Sequence, residues 1–384
     1  MPRYVIDEKA LRRNLEILKD VSARSGARIL LAQKAFSCTA VYPLCAGYLA
    51  GTTASSLFEA RHGHDFFGGE THVFSPAYAP EEIDGLLGIV DHIVFNSPRQ
   101  AALYAGKARE RGVSAGLRVN PETSVATTPA YDPCRPSSRL GTKLKDLKAA
   151  LAGADGGAFQ ADIEGLHFHC LCEQGLDELR KVLAGFEEKF GFLLPGMKWV
   201  NFGGGHHITK DGYDTDGLVR LVEDFRARHP NLAVYLEPGE AVALNAGTLE
   251  SRVLEIQPPG EDGISNAILD TSAACHMPDV LEMPYTPRVS GAKTVSAAQP
   301  PPQGGFVYRF GGPTCLAGDE IGTYSFAAPL EEGDPVVFED MAIYSMVKNN
   351  TFNGVNLPDI AIRRENGATE TVRSFGYADF AGRL

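Results

Sequence analysis

Four short stretches of the 384-residue sequence carry residue types that could do chemistry. The first is Lys34, which closes the apolar run Arg28-Ile29-Leu30-Leu31-Ala32-Gln33 and gives way to Ala35, Phe36 and Ser37. An ammonium among apolar neighbours is costly to keep charged, so its pKa falls and the neutral amine can form a Schiff base with a carbonyl. The alternative is a lysine whose head group snorkels out of a strand end. The second stretch is His167-Phe168-His169, whose spacing turns both imidazoles to one face of a strand. The third is Gly203-Gly204-Gly205, where missing side chains let backbone N–H groups approach an anion such as a phosphate. The fourth is Glu237-Pro238-Gly239-Glu240.

These stretches need a scaffold that brings them together. Strand-like runs recur near residues 28–33, 50–54, 71–75, 91–96, 115–120, 162–169, 198–203 and 232–237. Helical patterns fall between most of them, at 39–49, 56–63, 80–87, 97–111, 142–152, 174–190 and 214–228. An open sheet would satisfy the same alternation, but eight beats favour a parallel (β/α)8 TIM-type barrel, an α/β fold, over residues 20–242. In such a barrel the lysine, the histidines, the glycines and the glutamates all stand at the carboxyl ends of strands, the face that carries chemistry. Asn120 to Gly141, rich in Pro, Thr and Ser, reads as a long loop at that face. Ahead of the barrel, Asp7 is placed to cap a helix with Leu11, Leu15 and Leu18 on one side. Beyond residue 240 the pattern turns to short alternating runs such as Gly305–Phe310 and Asp334–Glu339, with turns at Gln257–Gly260 and Pro300–Pro302 and one helical stretch near 341–349. That is a mostly β domain.

Composition narrows the setting. No apolar run approaches the roughly 20 residues of a membrane span, and Met1 to Lys9 lacks a signal-peptide pattern. Seven cysteines without framework spacing suit a reducing cytoplasm. The net charge of −12 disfavours nucleic acid and is compatible with a cationic small molecule.

Taken together, the four stretches describe a site for pyridoxal 5′-phosphate. Lys34 would supply the Schiff-base amine, the glycines would hold the phosphate, and an imidazole would stack on the ring. Glu237 would keep the ring nitrogen protonated, which makes the ring a stronger electron sink. The rival is a metal-dependent amidohydrolase, because His-x-His on a barrel strand also holds divalent ions. That motif is expected on a first strand, whereas here it stands on the sixth, and no metal is expected.

The sequence resembles the barrel-type pyridoxal-phosphate decarboxylases, the family of ornithine, arginine and diaminopimelate decarboxylases, over nearly its whole length. The resemblance extends to Gly312-Pro313-Thr314-Cys315 followed by Asp319, and to Tyr344 ahead of Thr351-Phe352-Asn353-Gly354. It implies that Lys34 is the Schiff-base lysine, that His169 stacks on the ring, that Glu237 pairs with the ring nitrogen, and that Gly204, Gly205 and Tyr344 hold the phosphate. It also implies a homodimer with shared active sites, in which Cys315 enters the partner's barrel as a proton donor. The amino-terminal strand would join the β domain, which would then comprise residues 1–19 and 243–384.

Within the family, Leu269-Asp270-Thr271-Ser272-Ala273-Ala274-Cys275-His276-Met277-Pro278-Asp279-Val280, Cys315-Leu316-Ala317-Gly318-Asp319 and the terminal Glu240 of the fourth stretch are most similar to the branch acting on carboxynorspermidine and carboxyspermidine in polyamine biosynthesis. Relatives usually carry arginine at position 240, and a glutamate reverses the charge. Glu240, Asp270 and Asp319 are therefore expected to line a channel for a cationic tail. Cys172 stands where relatives tend to have a phosphate-binding serine. Diaminopimelate decarboxylation, racemisation and a cofactor-binding relative without catalysis are the remaining alternatives.

Overall fold

The computed structural model describes residues 1–126, 128–153, 157–296 and 305–384, so the turn expected at Pro300–Pro302 lies outside the described residues. It contains two compact units, Arg12–Val242 and Met1–Leu11 with Ala243–Leu384.

In the first unit eight strands pair in parallel around a closed ring. In order they are Arg28–Ala32, Gly51–Ala54, Glu70–Phe74, His92–Phe95, Ser114–Asn120, Gly165–His167, Trp199–Asn201 and Ala233–Leu236. The last pairs with the first, Tyr235 opposite Arg28, which closes the barrel. Closure leaves no free edge, so every strand is covered by its neighbours. Where the interior must hold large side chains, neighbouring strands carry glycine. A Cβ on Gly165 would stand 2.0 Å from the Trp199 ring and one on Gly116 2.3 Å from it. The indole fills that space and donates to Ser114 Oγ at 2.9 Å. Leu30, Val94, Trp199 and Tyr235 form a buried cluster beside it, and His72 stacks on His92 with ring centres 4.0 Å apart.

The sixth strand is shorter than the 162–169 expected, because a 3-10 turn, Ala158–Asp162, precedes it and regular pairing ends at His167. Phe168 N still donates to Asn201 O at 2.9 Å, and its ring packs on Phe186 and Phe202. His169 therefore sits past the strand end. The helices expected at 39–49 and 80–87 are each split into a 3-10 turn and a five-residue helix, Tyr42–Ala46 and Ile83–Leu87. Each segment has a proline at an early position, where its fixed φ suits a helix start. The long loop after the fifth strand is pinned by asparagines. Asn120 Nδ2 donates to Leu140 O at 3.0 Å, and Asn96 Nδ2 donates to Arg139 O at 2.9 Å.

In the second unit Arg3–Asp7 lies between Gly247–Ile256, antiparallel, and Asp359–Arg363, parallel. Asp7 Oδ1 accepts from Ala10 N at 2.9 Å, the capping contact its position suggests. The helix foreseen near 341–349 is the single turn Ser345–Lys348. Further short helices at Ala273–His276, Asp279–Glu282 and Tyr377–Ala381 were not anticipated. The first of them starts at Ser272, whose Oγ accepts from Cys275 N at 3.1 Å, a local capping signal too short to show as periodicity.

Candidate active site

Ala32, Lys34, Thr53, Ala54, Ser55, Phe74, Arg118, His167, His169 and Glu237 line a cavity of about 340 Å³, counted out to its open mouth. Lys34 reaches it from the turn just past the first strand. That turn is braced by Gln33, which accepts from Tyr42 Oη at 3.0 Å and donates to Glu59 O at 2.8 Å. Lys34 is an exposed residue that lines the open cavity, and the protein packed around its side chain lowers its pKa. The Arg118 guanidinium lowers it further. Both effects favour the neutral, nucleophilic amine.

Glu237 is buried at the end of the eighth strand, 2.7 Å from Asn201 Nδ2 and 3.3 Å from His167 Nε2. Burial opposes its charge, but the imidazole and the amide outweigh burial and hold the carboxyl at about 2. It is therefore ionised, beside a His167 whose pKa burial pushes down. Burial also lowers His169 well below the usual imidazole range, with Lys34 and Arg118 reinforcing the effect. His169 Nδ1 accepts from Gly204 N at 3.0 Å, which places the proton of the neutral ring on Nε2.

The glycine run is dictated by close backbone approach. Gly203 and Gly205 have φ of +71° and +84°, and Cβ atoms on Gly204 and Gly205 would lie 2.1 Å from Glu237 O and 2.0 Å from Leu171 O. Two of the amides expected to face a phosphate are already engaged: Gly203 N donates to Asn201 Oδ1 at 2.8 Å and Gly204 N to His169 Nδ1.

Residue reasoning missed Arg118 and Asn201. Arg118 is 5% exposed, lies 4.4 Å over the Phe74 ring and donates to His169 O at 2.8 Å. A lone arginine inside the apolar fifth strand was the available signal. Asn201, two residues before the glycines, bridges Glu237 and Gly203 and so ties the acid to the glycine turn.

Each of the three acids expected to line a channel for a cationic tail has partners within its own unit. Glu240 Oε1 lies 3.1 Å from His207 Nε2. Asp270 accepts from Ser251 Oγ at 2.8 Å and Arg252 N at 3.0 Å, with Arg252 Nε 3.3 Å away. Asp319 is 4% exposed and accepts from Ser272 Oγ at 2.9 Å, Ala274 N at 3.1 Å and Thr314 Oγ1 at 2.6 Å. Acids read from sequence look unpaired because their partners lie far away in the chain. Asp319 is the knot of the loop that carries Cys315. Asp319→Ala should accordingly lower the unfolding free energy by about 2–3 kcal/mol in a denaturant titration. Unchanged stability with a raised KM would return Asp319 to the substrate.

Cys315 is exposed, and its N–H donates to Asn353 Oδ1 at 2.9 Å. Tyr344 has φ of +51°, a left-handed conformation unusual for a bulky residue, at the start of its short helix. Cys172 O accepts from Gln174 Nε2 at 2.8 Å, beside the Gly205 backbone.

Comparison with known proteins decides the family. The model of the pyridoxal-dependent decarboxylases, described by their C-terminal sheet domain, matches residues 3–342. The chain belongs to the pyridoxal-dependent decarboxylase family. It is 41% identical to a carboxynorspermidine/carboxyspermidine decarboxylase of Campylobacter jejuni, over 99% of this chain and 97% of that one. It is 42% identical to a carboxyaminopropylagmatine decarboxylase of Synechocystis, over 100% of this chain and 95% of that one. The crystal structure of a Campylobacter jejuni carboxynorspermidine decarboxylase complexed with norspermidine superposes with a TM-score of 0.89 at 40% identity, with both chains fully covered.

The decarboxylase's cavity fits pyridoxal phosphate. It offers one lysine amine biased toward neutrality, one ionised buried carboxylate, imidazoles whose pKa values burial lowers, and a His167 Nδ1 that is buried without a hydrogen-bond partner. Ligand atoms of His167, His169 and Glu237 also lie within 4.8 Å of one another, so the cluster behind the metal rival does exist. Family membership assigns it to the pyridoxal group. When bound, that group supplies an electron sink for the electrons of a breaking α-carbon bond. Lys34 would hold it through the amine, Glu237 would keep a proton on the ring nitrogen, and His169, oriented by Gly204, would cover the ring. Arg118 anchors the backbone of His169 and, by its charge, adds to the burial that lowers the Lys34 pKa.

Proposed function

We propose that this decarboxylase converts carboxynorspermidine to norspermidine and carboxyspermidine to spermidine, releasing carbon dioxide. The full-length similarity to the Campylobacter jejuni enzyme carries this reading, supported by a cavity whose charges suit an amino acid bound through its amine. A second reading has its own observation in the Synechocystis relative, whose named substrate ends in a guanidino group. Incubating holoenzyme with carboxynorspermidine and separating the amines by chromatography tests the first. Norspermidine should accumulate, and unreacted substrate would overturn the assignment.

We place the protein in the cytoplasm. Among the described residues no helix is long and apolar enough to cross a membrane, and no disulfide joins any of the seven cysteines.

The working form in this reading is a homodimer, with Cys315 of each chain completing the other's cavity and protonating the substrate α-carbon once carbon dioxide has left. The Cys315 loop supports this. Its thiol is exposed, so it is no packing residue in its own chain, and Leu316 and Phe352 near it are each 44% exposed. Mixing inactive Lys34→Ala and Cys315→Ala chains should restore about a quarter of wild-type activity, since half the dimers are hybrids with one intact site of two. No recovery under demonstrated chain exchange would mean that each barrel works alone.

A further inference from the structure

We propose that His62 is a positioning residue for Lys34, holding the segment that carries the amine through Tyr42 and Gln33. Beyond the Lys34 turn, Phe36 to Cys38 belong to no helix, strand or turn, so side-chain bonds must fix the chain there. Those bonds converge on one imidazole. His62 Nδ1 lies 3.3 Å from Ser37 Oγ, 3.2 Å from Tyr42 Oη and 3.4 Å from Gln33 Oε1, and its Nε2 lies 2.8 Å from Thr39 Oγ1. Residues on both sides of Lys34 are thus tied to a single side chain.

The helix Leu57–Phe66 presents His62, and the face on which it stands is shaped for these contacts. Glu59, one turn earlier, accepts from Gln33 Nε2 through its carbonyl and from Ser55 N, on the cavity wall, through its carboxylate at 2.7 Å. The next position is Gly63, where a Cβ would stand 2.9 Å from Gln33 Nε2. Tyr42 is buried against the rings of His62 and Phe67, with centres 5.0 and 5.2 Å away. Its hydroxyl donates to Gln33 Oε1 at 3.0 Å, so neither of those oxygens has a proton left for His62. Nδ1 of the neutral ring therefore carries the proton, and Nε2 accepts from Thr39. One helix thus sets both the lysine segment and Ser55 of the cavity wall. His62, Tyr42 and Gln33 are not among the residues that line the cavity, so they act on where the amine stands and not on the cofactor itself. The inference rests on the family's cofactor and is independent of the substrate.

The test separates the bond to Lys34 from binding alone. The Lys34 amine and the aldehyde of pyridoxal phosphate join with loss of one water, whereas pyridoxamine phosphate has no aldehyde and binds without that bond. Each is titrated calorimetrically into the full-length apoprotein. In His62→Ala the dissociation constant for pyridoxal phosphate should rise at least about fivefold, the scale of one lost neutral hydrogen bond, with pyridoxamine phosphate unchanged. Tyr42→Phe removes only the bridging hydroxyl and keeps the buried ring, and it should show the same selective loss. A loosened fold would weaken both ligands alike. A wild-type ratio of the two dissociation constants in either variant, or equal weakening of both ligands, would overturn the proposal.

Discussion

Lys34→Ala protein should be colourless and inactive, two losses with one cause. Lys34 is the only lysine among the described residues that line the cavity, and its turn is held by Gln33, whose contacts do not depend on the lysine side chain. The variant should therefore keep its far-ultraviolet circular dichroism while losing the visible absorption of the bound cofactor and all measurable turnover. The same lysine is open to a covalent check. Borohydride reduction of the wild-type holoenzyme followed by peptide mapping should place the pyridoxyl group on Lys34, and recovery on another lysine would refute the assignment.

Glu237→Gln should lower kcat by on the order of 10²–10³ with little change in KM, because the carboxylate acts on charge that develops only as the bond breaks. The substitution keeps shape and removes the charge, although it sets an amide against the Asn201 amide. The wild-type carboxyl, held at about 2 against an ordinary 4.5, stays ionised throughout the neutral range, so its own titration should not appear in a pH–rate profile above pH 5. The same depression bears on stability. The contribution of Glu237 is complete above its ordinary pKa and is lost as pH falls through about 2. A Glu237→Gln enzyme with wild-type kcat would remove the acid from the chemistry.

Much of the architecture was legible because it repeats. Eight apolar runs separated by amphipathic helices state a parallel barrel many times over, and they put the lysine, histidine, glycine and glutamate stretches at strand ends, whereas His169 and Gly204 were singled out only by the family resemblance. Irregular departures were not legible. Periodicity carried the sixth strand on to His169, whereas regular pairing spans only Gly165–His167. Charge partnerships were the larger gap. Glu240, Asp270 and Asp319 read as free anions, but His207, Arg252 and Ser272 lie 33, 18 and 47 positions away from them in sequence and beside them in space. Arg118 was hidden for the same reason. An arginine in an apolar strand looks out of place until Phe74 and the His169 carbonyl are seen to receive it.

The substrate assignment is tested most directly by carbon dioxide release from separate solutions of carboxynorspermidine, carboxyspermidine, carboxyaminopropylagmatine, diaminopimelate, ornithine, lysine and arginine, compared as kcat/KM on the same holoenzyme. The account predicts that carboxynorspermidine and carboxyspermidine exceed each of the four simple amino acids by at least about 10²-fold, equivalent to about 2.7 kcal/mol of discrimination. Preference for carboxyaminopropylagmatine would move the enzyme to the guanidino-tailed substrate of its Synechocystis relative. Efficient release from diaminopimelate would contradict the account.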